Sequence, residues 1–218
     1  FEARAAEMEE AFSPHMALSK VQQRLIGAYF LHEYAFEASA LFNPSIVLHP
    51  DQNGSPPGGC RFILSLRAVG EGHISSLPFR TGYISSQGNV TVEPTSRLAS
   101  IPQISKRTHG EDGDSIEVLF GSETEISERV IFPITESQSN GIEDARFVAF
   151  TENGQTTYYA TFTAYSGRAI RSELIETTDF LSFKLMPLRG PATRNKGMGL
   201  FPRKVNGRYM ALTRADRE

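Results

Sequence analysis

The sequence predicts an all-β domain of β-propeller type, residues 41–218, behind an N-terminal helical extension, residues 1–40. Three observations carry this. Strong helix formers and an apolar stripe at three- and four-residue spacing stop near residue 40. Beyond that point short runs alternate at period two and are joined by Gly- and Asn-bearing turns. Three segments, beginning near Phe42, Glu143 and Lys196, also share one plan: polar residues, a short apolar strand, a turn and an aromatic-rich second strand. Hairpins repeated radially build propellers, and the first strand of each repeat then lines a central channel.

Residues 2–12 favour helix. Ser13-Pro14 reads as the N-cap and first position of a second helix from about Pro14 to about Ala38. Leu18, Val21, Leu25, Ala28, Tyr29 and His32 form its apolar stripe, with His32 read as a packed histidine. Phe42 to Leu48 is a turn feeding a strand, and Asp51 to Gly59 is a loop. Arg61 to Val69 alternates, with Phe62, Leu64 and Leu66 on one face and Ile63, Ser65 and Arg67 on the other. Strand character resumes over His73 to Tyr83; residues 85–114 are polar, with few apolar anchors. Thr108 to Asp114 lacks the spacing and closing glutamate of an EF-hand and reads as a turn. Ile116 to Phe120 and Val130 to Ile134 are short strands. Phe147 to Phe150 and Thr156 to Tyr165 form a hairpin through Asn153-Gly154. Arg168 to Glu176 and Ser182 to Leu185 follow as strands. Met198 to Lys204 and Tyr209 to Arg214 form a second hairpin through Asn206-Gly207.

The net charge is −3 over 218 residues, which argues against general nucleic-acid binding. The charge is uneven: residues 166–218 carry 11 Lys and Arg against 5 Asp and Glu, as an anion site in that part would require. Cys60 stands alone, so a reducing, cytoplasmic setting is expected. No apolar run is long enough to span a bilayer, and no membrane association is expected. His73 and His109 have no partners at metal spacing, so no metal or cofactor is expected.

The stretch Gly141-Ile142-Glu143-Asp144-Ala145-Arg146-Phe147-Val148 places two acids and an arginine before an apolar run. Adjacent carboxylates point to opposite faces of an extended strand. One of the pair is expected to face a substrate while the other binds a neighbour. A carboxylate beside apolar walls can donate a proton near neutral pH.

Phe42-Asn43-Pro44-Ser45, Arg67, Gly141 to Arg146, Thr163-Ala164-Tyr165 and Asn195-Lys196-Gly197, with Leu200 to Lys204, together resemble glycoside hydrolase family 130. These are the β-mannoside phosphorylases and β-mannosidases, built on a five-bladed β-propeller. The resemblance runs over roughly residues 42–216 in the right order. It implies Asp144 as general acid, and Asn43, Arg67, Glu143, Arg146 and Tyr165 as substrate-binding residues. Ser76, Arg168, Lys196 and Arg214 are implied to hold phosphate, the co-substrate of the phosphorylases. Ala145 stands where the family has proline, and Thr213 where it has histidine. The implied activity is inverting cleavage of β-mannosides, by phosphorolysis to mannose 1-phosphate or by hydrolysis. Asp216, Glu218 or a residue beyond this chain would activate water in the hydrolytic case. The other alternative is a non-catalytic carbohydrate-binding or assembly fragment. Three repeats cannot close a five-bladed ring, so the expected partners are a mannoside oligosaccharide and either the missing C-terminal blades or a second copy of the chain.

Overall fold

The computed structural model describes residues 1–8, 18–31, 33–111 and 113–214. They fall into two compact units, Phe1–Ala35 and Phe36–Glu218. The first holds α1 (Glu2–Glu7) and α2 (Lys20–Tyr29). Ser19 caps α2 reciprocally with Gln22, satisfying N–H groups that the first turn leaves without partners. Ser13-Pro14 and His32 lie outside the described residues.

Two expectations for this region are corrected. The stripe does not form a core: Val21, Leu25 and Tyr29 are 75%, 69% and 79% exposed. The buried position of α2 is Gly27, where a Cβ would sit 1.9 Å from the carbonyl oxygen of Phe1, an approach only glycine permits. The helix also ends at Tyr29, not near Ala38. The residues after Ala35 are claimed by the β unit, where Glu37 pairs with Arg80 and the Ser39 N–H donates to the Val69 carbonyl at 2.9 Å.

The second unit is built of β1 (Ala40–Leu48), β2 (Cys60–Val69), β3 (Ser75–Ile84), β4 (Val90–Val92), β5 (Gln103–Thr108), β6 (Ser115–Leu119) and β7 (Val130–Ile131). It continues with β8 (Gly141–Glu152), β9 (Gln155–Tyr165), β10 (Ile170–Thr177), β11 (Ser182–Pro187), β12 (Gly199–Leu200) and β13 (Ala211–Leu212). Eleven strands form one open sheet in the order β1-β2-β3-β8-β9-β10-β11-β6-β5, with β4 and β7 attached to β3. β12 and β13 pair separately. The unit is mostly β, and its sheet does not close on itself.

The sheet is two antiparallel groups, β1-β2-β3 and β8-β9-β10-β11-β6-β5, joined by a single parallel pair, Ser75 with Gly141. Gly141 has φ +145°, and a Cβ there would lie 2.9 Å from that of Ser75, so the junction requires glycine. Asn153-Gly154 and Asn206-Gly207 take positive φ at both central residues, as a two-residue hairpin turn needs.

The core spans both groups. Phe79 of β3 meets Phe147 of β8 at 6.0 Å between ring centroids, Phe180 at 5.7 Å and Phe183 at 5.6 Å. Each such aromatic pair contributes about 0.5–1.5 kcal/mol beyond area burial. β2 departs from its expected one-sided alternation. Phe62 and Ile63, on opposite faces, are both buried, as are Ser65 and Leu66, because β2 is covered on both sides. The polar stretch 85–114 contributes two strands: β4 on β3, and β5, which borders the sheet with every residue exposed.

Candidate active site

The site forms where the pairing registers of β1 and β8 break. β1 slips between Phe42 and Ser45, and β8 slips between Glu143 and Arg146. Each bulge contains one left-handed residue, Asn43 at φ 51° and Asp144 at φ 53°. Asn and Asp visit this region more readily than other residues with a side chain, because their short polar groups bond locally. The bulges face each other: Asn43 Nδ2 donates to Asp144 Oδ1 at 2.6 Å.

The expected division between Glu143 and Asp144 takes a particular form here: Asp144 lines a cavity and Glu143 does not, yet the two share a partner. The left-handed turn at Asp144 interrupts the alternation, and one guanidinium reaches both carboxylates. Arg67 Nη2 donates to Glu143 Oε1 at 2.8 Å and its Nη1 to Asp144 Oδ1 at 3.3 Å. Arg67 is fixed elsewhere by Ser75, whose Oγ accepts from Nε at 3.0 Å, and by the Phe42 ring 5.1 Å away. Glu143 is buried, and its Oε2 takes a second cation, Lys196 Nζ, at 2.8 Å. Lys196 in turn lies 5.8 Å from the centre of the Tyr165 ring. Buried charges persist only when paired in this way.

Asp144 is more open, with 30% of its side chain exposed. Its Oδ1 receives two donors, while Oδ2 makes no hydrogen bond among the described residues. It lines a cavity of ≈ 540 Å³ with Asn43, Ser45, Arg146 and Arg214. Among the described residues, neither of those two guanidiniums has an ion-pair partner, and Asp144 is the only acid in the lining. A carboxyl with one oxygen pinned and the other open, in a cavity with two guanidiniums, can exchange a proton with a bound group beside an anion.

The other expected site residues are distributed as follows. Tyr165 sits beside Lys196, its hydroxyl donating to the Gly167 carbonyl at 3.3 Å. Arg168 is exposed on the turn between β9 and β10. Ser76 is buried, and its Oγ has no partner among the described residues. Its neighbour Ser75 faces Arg67, so Ser76 faces the other side of β3. Neither Ser76 nor Arg168 lines the cavity. Thr213 is turned to the Ala192 carbonyl at 3.0 Å. A larger polar cleft, ≈ 800 Å³, contains Asp114, Arg171 and Arg194 but no member of the Asp144 cluster.

Supporting residues escaped the sequence reading. Glu173 is buried on β10 and holds Ser137 Oγ at 2.7 Å, Gln138 Nε2 at 2.8 Å and Arg171 Nε at 2.8 Å. The completely buried Gln138 also accepts from the Ile134 N–H at 3.1 Å. Together they fix the loop that delivers Gly141 to β3. An acid in an alternating strand gives no sign of such a role. Ser45 and Ser75 were legible only as motif or strand residues.

The site is thus a bulge-held carboxyl pinned by an amide and a guanidinium, with two further guanidiniums in the lining of the same polar cavity. Comparison with known proteins finds three likenesses. A family model described as beta-1,4-mannooligosaccharide phosphorylase matches residues 113–217. A beta-1,2-mannobiose phosphorylase of Listeria innocua is 38% identical over 86 residues, covering 38% of this chain and 22% of that protein. The solved structure of beta-1,2-mannobiose phosphorylase from Listeria innocua in complex with beta-1,2-mannobiose aligns with TM-score 0.42 and 18% identity, over 81% of this chain and 51% of that one. The chain therefore spans about half the length of that structure. These likenesses rest on part of the chain: the family match runs over residues 113–217 of 218.

Proposed function

We propose that this chain carries the acid half of an inverting β-mannoside phosphorylase site, with Asp144 as general acid. The protein holding it would be a five-bladed β-propeller in which β1, β8 and β12 are inner strands. Asp144 Oδ2 gives its proton to the departing glycosidic oxygen, directly or through a sugar hydroxyl. Asn43 and Arg67 hold Oδ1 and orient the carboxyl. Phosphate attacks the anomeric carbon from the opposite face. Its oxygen forms the new bond as the glycosidic C–O bond breaks, giving mannose 1-phosphate. Phosphate is already a nucleophilic anion and needs cations rather than a base, which Arg146, Arg214 and Lys196 supply. Glu143 holds Arg67 and Lys196 beside the acid, and Tyr165 packs against Lys196.

The observation that carries this reading is the cavity lining, which among the described residues holds one acid and two guanidiniums without an ion-pair partner. Inverting hydrolysis calls for a second carboxylate roughly 6.5–9.5 Å from the acid to activate water. No described residue of the lining supplies one; Asp216 and Glu218 lie outside the described residues. The test is product analysis of the intact protein on β-mannosides. Mannose 1-phosphate formed only with inorganic phosphate is the expected result. Free mannose at the same rate without phosphate would establish hydrolysis, and neither product would leave a binding role.

A further inference from the structure

The β8 bulge needs an anchor that β9 does not provide. After the slip at Asp144, β8 resumes pairing with β9 through Arg146 and Thr161, then Phe147 and Ala160. The N–H of Phe147 does not join that ladder. It donates to Ser45 Oγ on β1 at 2.8 Å. Ser45 is itself tethered to β2, its carbonyl accepting from Ser65 Oγ at 3.4 Å. Phe147 is buried in the aromatic core, and its N–H has the part-buried bond to Ser45 Oγ as its side-chain partner. Two side-chain bonds therefore span the facing bulges. Asn43 holds the side chain of Asp144, and Ser45 holds the backbone three residues later. Asn43 and Arg67 hold the carboxyl itself, and Ser45 adds a side-chain bond to the backbone where β8 rejoins β9.

We infer that Ser45 is a positioning residue: its hydroxyl oxygen, acting through the Phe147 N–H, fixes the bulge that aims Asp144 Oδ2 into the cavity. The inference rests on the reading of Asp144 as the acid. A carboxyl misplaced by about 1 Å loses up to about 100-fold in rate while ground-state binding survives.

The experiment compares wild type, Ser45→Ala and Ser45→Thr in the intact protein. It measures amide hydrogen exchange at Phe147 and phosphorolysis kinetics on a β-mannoside. Ser45→Ala is expected to speed exchange at Phe147 by about tenfold or more. Its kcat should fall by about tenfold, with both KM values within about twofold of wild type. Ser45→Thr, which keeps the oxygen, should restore protection and kcat together. Unchanged protection in Ser45→Ala overturns the inference, as does lost protection with kcat intact. A wild type that turns over no mannoside counts against Asp144 as acid, while the exchange comparison still decides whether Ser45 holds the bulge.

Discussion

β1 and β8 carry the same backbone defect and use it differently. Both slip register by one bulge, and both set an Asx residue in the left-handed region, at 51° and 53°. β1 borders the sheet, and Leu41, Ile46 and Leu48 on it are exposed. β8 is interior, with Ile142, Ala145, Phe147 and Phe150 buried around its bulge. The border strand presents a neutral amide; the interior strand presents the carboxylate and, beside it, the buried Glu143. A reacting group must be held within a fraction of an ångström, which a packed strand does better than a free edge. The edge residue needs only to reach across and donate one hydrogen bond.

Substitutions can break or sharpen this contrast. The largest effect is expected at Asp144→Asn, which keeps the shape and removes the proton. Turnover of β-mannosides should fall by about 10²–10⁴-fold with thermal unfolding nearly unchanged. Retention of wild-type kcat would remove Asp144 from the acid role. Glu143→Ala should instead act on stability, leaving Arg67 and Lys196 facing an empty buried site. A loss of about 3 kcal/mol is expected in urea unfolding, against about 1 kcal/mol or less for Asn43→Ala on the edge strand. Equal losses at the two positions would erase the distinction between interior and edge. Lys196→Ala should raise the KM for phosphate by about tenfold with little change in the mannoside KM. A phosphate KM that does not move would take Lys196 out of the anion site.

A comparably small effect is expected at Asp179, away from the site. Burial raises its pKa, but the N–H groups of Ser182 and Leu181 and the hydroxyls of Ser182 and Thr177 outweigh it, so the folded-state value is lowered. Those bonds shape the turn that delivers Phe180 to the core. A depressed carboxyl pKa gives stability that is present above the unfolded value and lost as pH falls through the folded one. Asp179→Ala should therefore cost about 1 kcal/mol at neutral pH. The cost should shrink once the pH drops below the ordinary carboxylate range of about 4. A difference constant from pH 7 to pH 2 would show that the carboxylate charge is not what matters.

Local patterns were readable where local physics governs. The Asn153-Gly154 and Asn206-Gly207 turns, the extent of β2 and β3, and the β8–β9 hairpin follow from turn chemistry and periodicity. The reading failed where distant segments compete. The stripe on α2 has the spacing of a buried face, yet Gly27 makes the close contact. β6 joins β11 across more than sixty residues, a pairing that no local signal specifies.

By itself the sequence determined which residues were available for chemistry: an Asp after a Glu, an Asn in Phe42-Asn43-Pro44, an Arg closing β2 and a basic last quarter. Only the tertiary structure decided how they meet. Strand alternation is a property of an unbroken ladder, and it assigned Glu143 and Asp144 to separate faces. The register slip in β8 interrupts that ladder, and Arg67, reaching in from β2, meets both carboxylates.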